Sequence, residues 1–183
     1  RLPFAQQALQ QAEKLDASSP ILQLEQALLA LQTHNLPLAQ KAVQAAQANQ
    51  PQWELPIALQ SKLYAAQADW ETAISHLNRA LQLDPQQIDW QAQLARLHQE
   101  RQDLGAALAA QQRAIELATL ASVAATPFAK LYATLAELEA LDDDSESALA
   151  HYLQALQLLP GIPNWETAVG QLHLKLNQNQ QAL

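Results

Sequence analysis

A chain of 183 residues with a net charge of −8, ten basic residues and no Lys/Arg cluster lacks the basic stripe that nucleic-acid binding needs. Zero cysteines exclude disulfides and thiol catalysis, and no run approaches the roughly 18 apolar residues of a membrane-spanning helix. Alanine, leucine and glutamine dominate, glycine occurs three times and long β-branched runs are missing, so the expected class is all-α.

The first expected helix is Arg1–Asp16, with Ala5, Leu9, Ala12 and Leu15 on one face, broken by Ala17-Ser18-Ser19-Pro20. A leucine-rich second follows at about Ile21–Gln32. His34-Asn35-Leu36-Pro37 turns into a third, which carries Ala39, Val43 and Ala46 and stops before Pro51. The fourth spans about Gln52–Gln67, with Ile57, Leu63 and Tyr64 inward. Asp69 to Pro85 opens with a helix-start signal and closes on Leu-Asp-Pro, which makes the fifth. Trp90, Leu94, Ala95 and Leu97 mark the sixth, and the seventh starts near Leu104. Thr126-Pro127 resembles an N-cap followed by proline at the first helical position of the eighth, which runs to about Leu141. The ninth covers Ser145–Leu158. After Pro160-Gly161-Ile162-Pro163, a tenth is expected at about Trp165–Leu176, with Asn-Gln-Asn-Gln as a turn and Gln181-Ala182-Leu183 opening an eleventh.

Alanine recurs in strides of 34 at Ala5, Ala39, Ala73 and Ala107, then at Ala148 after a stride seven residues longer, and at Ala182. A second ladder runs Ala12, Ala46, Ala80, Ala114 and Ala155. Such a period is the mark of a repeat architecture. The extra seven residues fall within Thr119–Ala125, and seven is close to two helical turns, so lengthening the seventh helix would keep its faces in phase.

The pattern resembles the tetratricopeptide repeat (TPR) family, whose unit is two antiparallel helices, A and B, in 34 residues. Units opening at Pro20, Glu54, Ile88, Ala129 and Pro163 place Ala27, Ser61, Ala95, Ala136 and Gly170 at the family's small eighth position. Leu29, Leu63, Leu97, Leu138 and Leu172 fall at the tenth, and Pro51, Pro85 and Pro160 match the closing proline. Small residues belong where two helices cross closely. The departures are Gln26 and Gln60 at the large seventh position, and Ala30, His98, Glu139 and His173 at the aromatic eleventh, kept only as Tyr64. The resemblance implies a right-handed superhelical α-solenoid of antiparallel helix pairs: a truncated repeat at 1–19, repeats at 20–53, 54–87, 88–128 (with the extension) and 129–162, and a truncated repeat at 163–183.

It also implies a concave groove lined by A helices. In phase, the groove takes Leu24, Leu28 and Leu31 from the first full unit, Lys62 and Ala65 from the second, and Asp89, Arg96, Gln99 and Glu100 from the third. The fourth contributes Lys130 and Glu137, the fifth Gln171 and Lys175. The expected groove has a leucine-rich end, a basic middle around Lys62 and Arg96, and an acidic patch beyond, suited to a peptide with apolar and acidic anchors. The plainer alternative is that an upstream repeat covers the leucines and that Lys62 and Arg96 are merely solvated. The lysine–asparagine clamp with which some family members hold a C-terminal carboxylate is replaced by Leu24 and Leu28, or by Ala58 and Lys62 one unit on.

Other candidate chemistry is weak. Asp142-Asp143-Asp144 suits a turn that caps the ninth helix better than a cation loop. His98 and His173 share the eleventh position, His76 and His151 the twenty-third, so packing explains them better than metal. No phosphate-cradling glycine loop, nucleophile elbow or His-Glu-x-x-His helix occurs, so no enzyme activity, cofactor or metal is expected. The expected function is a scaffold for a protein or peptide partner, with no nucleic acid and no direct membrane insertion, in the cytoplasm. Alternatives are a regulatory or targeting arm of a larger enzyme, since the chain starts at Arg1 and has no methionine, and a homo-oligomer formed through exposed array ends.

Overall fold

The computed structural model describes residues 2–16 and 18–181, with the backbone alone for residues 2, 3, 5, 6, 10 and 178–181. Ten helices are present among them: α1 (Leu2–Leu15), α2 (Pro20–Gln32), α3 (Leu36–Asn49), α4 (Glu54–Ala65), α5 (Trp70–Leu83), α6 (Ile88–Glu100), α7 (Leu104–Leu120), α8 (Ala125–Leu141), α9 (Ser145–Leu158) and α10 (Pro163–Gln181). There is no strand among the described residues, and no helix is long and apolar enough to cross a membrane. The helices form two compact units, Arg1–Pro85 and Gln86–Leu183. In the first, α2 pairs with α3 and α4 with α5, while α3 packs on α4 and α1 on α2. In the second, α6 pairs with α7 and α8 with α9, while α7 packs on α8 and α9 on α10.

One turn builds every A–B hairpin. His34, Ala68, Gln102 and Asp143 adopt left-handed backbone, with φ of 55°, 58°, 63° and 65°. The next amide N–H donates back to the carbonyl five residues earlier, at 2.8–3.0 Å, which closes the A helix. That same residue is an Asn or Asp whose side chain caps the B helix: Asn35, Asp69, Asp103 and Asp144 accept from Leu38, Thr72, Ala106 and Ser147 N–H.

The hairpins close tightly because small side chains sit at each crossing. Ala39, Ala73, Ala107 and Ala148, and Ala46, Ala80, Ala114 and Ala155, are all 0% exposed. Opposite them lie Ala27, Ser61, Ala95 and Ala136, all buried. Ala182 and the side chain of Ala5 lie outside the described residues, as do Arg1, Ala17 and Leu183.

The structure corrects four expectations. Leu15 does not share a buried face; it is exposed, and Leu9 and Ala12 are only half-buried. The seven extra residues do not all lengthen the seventh helix. α7 and α8 each have 17 residues, against 14 in α5 and 13 in α6, so three extend α7 and four extend α8. Accordingly Ala124, not Thr126, precedes the first helical residue, and Pro127 sits in the first turn, where a missing N–H costs nothing. The Asn-Gln-Asn-Gln stretch is helix: α10 runs on to Gln181, because nothing in 164–181 breaks it.

Candidate functional site

In the first unit, the A-helix surface is smaller and less apolar than expected. Leu24 is not on it. The side chain is buried in a cluster with Ala42 and Val43 of α3 and Leu59 of α4, so α4 covers it and no upstream repeat is required. Leu28 and Leu31 remain half-buried at the rim of that cluster, and Leu31 also packs beside Leu63. On α4, Lys62 is exposed and Ala65 half-buried three residues on, which puts them on one face.

In the second unit, Asp89, Arg96 and Glu100 follow steps of seven and four residues along one stripe of α6, all exposed, with Gln99 beside them. Lys130 and Glu137 are exposed one heptad apart on α8, and Gln171 is exposed on α10. Lys62 and Arg96, expected as one basic middle, belong to different units.

Most of these charges are unpaired among the described residues, as are others such as Glu25 and Lys41. Elsewhere Arg101 meets Asp103, Arg113 meets Glu116 at 2.7 Å, and Lys175 meets Asp143 of the α8–α9 turn. Lys175 is thereby occupied in tying α10 to that turn. Among the described residues, Lys62, Asp89, Arg96, Glu100 and Lys130 have no such partner. Glu137 is the most perturbed of the set: although its side chain is exposed, the protein packed around the carboxyl partly desolvates it and raises it above the ordinary range. It lies by Tyr152, whose phenol is pushed up to about 12 by burial and by the charge of Glu137.

The histidines take part in packing that sequence reasoning only half recovered. The eleventh residue of an A helix and the twenty-third of its B helix, 12 apart in sequence, meet across the turn. Tyr64 stacks on His76 with centroids 5.2 Å apart, and His151 Nδ1 lies 2.7 Å from Glu139 Oε2. The spacing of 12 across each turn was the available signal. His76 and His98 are both held below the ordinary histidine range, chiefly because burial disfavours the imidazolium. Burial raises the Glu139 carboxyl, and its bond to His151 works in the opposite direction. The aspartate triplet is structural: Asp144 caps α9 and, by accepting from Ser147, is held below the usual carboxylate range. Gln111, fully buried on α7, donates through Nε2 to the Leu131 carbonyl of α8 at 2.8 Å, which fixes the lengthened pair.

No protein-family model matches the sequence, and no curated protein matches it. Solved structures do match in fold. A chain of the APC/C hetero-tetramer Cut9–Hcn1 superimposes with a TM-score of 0.79 at 18% identity over 93% of this chain, which spans 33% of that one. A thermophilic TPR protein of Thermus thermophilus gives 0.70 at 19% identity, covering 91% of this chain and 87% of its own. YrrB, a TPR protein with an unusual peptide-binding site, gives 0.73 at 16% identity, covering 96% and 87%. With both alanine ladders buried at its helix crossings and these proteins matching most of its length, the chain has the tetratricopeptide-repeat fold, an all-α solenoid of antiparallel helix pairs.

Proposed function

We propose that the chain is a non-catalytic scaffold that binds a peptide or protein segment on the exposed sides of its A helices. The observation that carries this reading is the set of charges there, Lys62, Asp89, Arg96, Glu100 and Lys130, all exposed on A helices and without an ion-pair partner among the described residues. Unmatched charges on rigid helices are pre-positioned for a partner, because no internal bond must break first. Leu28 and Leu31 add a modest apolar anchor in the first unit. The peptide-binding site named for YrrB is consistent with this use of the fold.

The test is selection of peptides that bind the chain, followed by reversal of Lys62 and Arg96 to Glu. Acidic peptides should lose about tenfold or more in affinity, by the loss of two favourable charges. Undiminished binding by the double variant removes this surface from consideration.

A second reading, self-association through α10, has one observation in its favour. Gly170 is exposed and a Cβ built there meets nothing within 4 Å, whereas its equivalents Ala27, Ser61, Ala95 and Ala136 are all buried. A constant monomeric mass by light scattering over a wide concentration range would sink it.

A further inference from the structure

The first unit contains a cleft that its own next hairpin explains. The space, about 590 Å³, opens beside α2 and α3 with α1 as its far wall. That volume is in the range of small-ligand and side-chain pockets. Its floor is made of methyl groups: Ala30 and Ala42 are buried there, with Ala45 alongside. Moving 34 residues along the chain shows what occupies the same place in α4–α5. Ala30 and Ala42 become Tyr64 and His76, whose rings stack with planes 8° apart. Gln23 becomes Ile57, 0% exposed. Glu13 and Gln26 become Gln47 and Gln60, and there the Gln60 amide donates to Gln47 at 2.6 Å, closing the entrance. In α2–α3 none of these fillings is present, so the cleft is the vacated seat of a stacked pair of rings.

We propose that this cleft receives an aromatic side chain, tyrosine or tryptophan, from a partner peptide. The seat stands, 34 residues earlier in register, where rings stack in the neighbouring hairpin, and Leu29 and Leu38 supply apolar walls. The rim carries polar donors for the ring's hydroxyl or N–H end and for the peptide backbone. Asn35 uses its oxygen on Leu38 N–H, leaving its amide hydrogens for a ligand. Lys41, which has no ion pair among the described residues, adds an ammonium at the rim that is attracted to an aromatic face. The site stands apart from the A-helix charges and does not depend on them.

The test uses the full chain with ¹³C-labelled alanine methyls and two probes, acetyl-Ala-Tyr-Ala-amide and its leucine counterpart. The tyrosine probe should move the Ala30 and Ala42 methyl signals upfield by ring current, saturably, and the leucine probe should not. Ala30→Tyr with Ala42→His rebuilds the neighbouring stack and should weaken tyrosine-probe binding, read at the remaining Ala45 methyl, by about tenfold or more. Should that variant fold poorly, Leu38→Glu alters a wall residue that is 47% exposed, and should weaken binding without disturbing the fold. Absence of a saturable shift, equal shifts from both probes, unchanged affinity in a folded variant, or shifts confined to Lys62 and its neighbours would each overturn the proposal.

Discussion

Hairpins α4–α5 and α8–α9 share a frame at the crossing and the turn, and differ in one seat beside it and in the length of the A helix, 12 residues against 17. Both carry alanines that are 0% exposed at the crossing, Ala73 and Ala80 in one, Ala148 and Ala155 in the other. Both turn through a left-handed residue, Ala68 or Asp143, into an aspartate cap. Across the turn, however, α4–α5 places a neutral ring stack, Tyr64 on His76, whereas α8–α9 places Glu139 against His151 beneath the ring of Tyr132. Backbone approach is therefore set by the alanines, and the cross-turn seat accepts fillings as different as a ring stack and a carboxylate–imidazole contact.

The largest expected effect tests what the hairpins share. Ala73→Leu and Ala148→Leu should each lose about 3 kcal/mol, because the helices at these crossings leave no room for three added carbons. Urea titration should give similar losses for both. If either variant keeps its wild-type midpoint, the two crossings are not equivalent.

The next effect tests where they differ. His151→Ala leaves the Glu139 carboxyl, 8% exposed, without its partner and should cost about 2 kcal/mol. His76→Ala removes only a ring contact and should cost about 1 kcal/mol. A larger loss from His76→Ala would reverse the assignment of the Glu139–His151 contact as the more demanding filling.

The turn offers a smaller, stabilising change. Ala68 carries a left-handed penalty that glycine would not, so Ala68→Gly should raise stability by about 1 kcal/mol. Asp143→Gly relieves the same backbone but also removes the contact with Lys175, so its thermal midpoint should rise less.

What could be read in the sequence was the part that repeats. The alanine ladders, the tenth-position leucines and the turn aspartates are local signals in fixed phase, and from Ala39 to Ala155 every alanine of the two ladders falls at a buried crossing. Leu24 was misplaced because its burial comes from Leu59, 35 residues away, and helical phase alone cannot see a neighbouring helix. The extension was divided between α7 and α8 because the turn needs its own closure. Ser122 goes left-handed at 51° and Val123 N–H returns to the Ala118 carbonyl, which fixes where α7 must stop. At 177–180, glutamine is a good helix former and asparagine costs only about 0.7 kcal/mol relative to alanine, so a polar run without glycine or proline is no turn signal. The A-helix charges were legible as types and positions; that they lack internal partners depends on rotamers and long-range packing.

The smallest effect separates the two seats by pH. The folded His76 value lies below 6.5, because burial disfavours its charged form and Arg79 adds repulsion. The unfolded chain then binds the extra proton more readily, so this group withdraws stability as pH falls below 6.5. Glu139 has the opposite sign: its folded value lies above 4.5, the folded chain holds the proton more tightly, and its contribution falls as pH rises through that window. Replacing His76 by Phe keeps a ring on Tyr64 and should reduce the stability loss between pH 7 and 5.5, leaving the part that His98 contributes with the same sign, whereas Glu139→Gln should leave the His76 slope in place. Urea midpoints of wild type and both variants across that range decide it. A slope that survives His76→Phe unchanged would mean that the stack on Tyr64 does not disfavour the imidazolium.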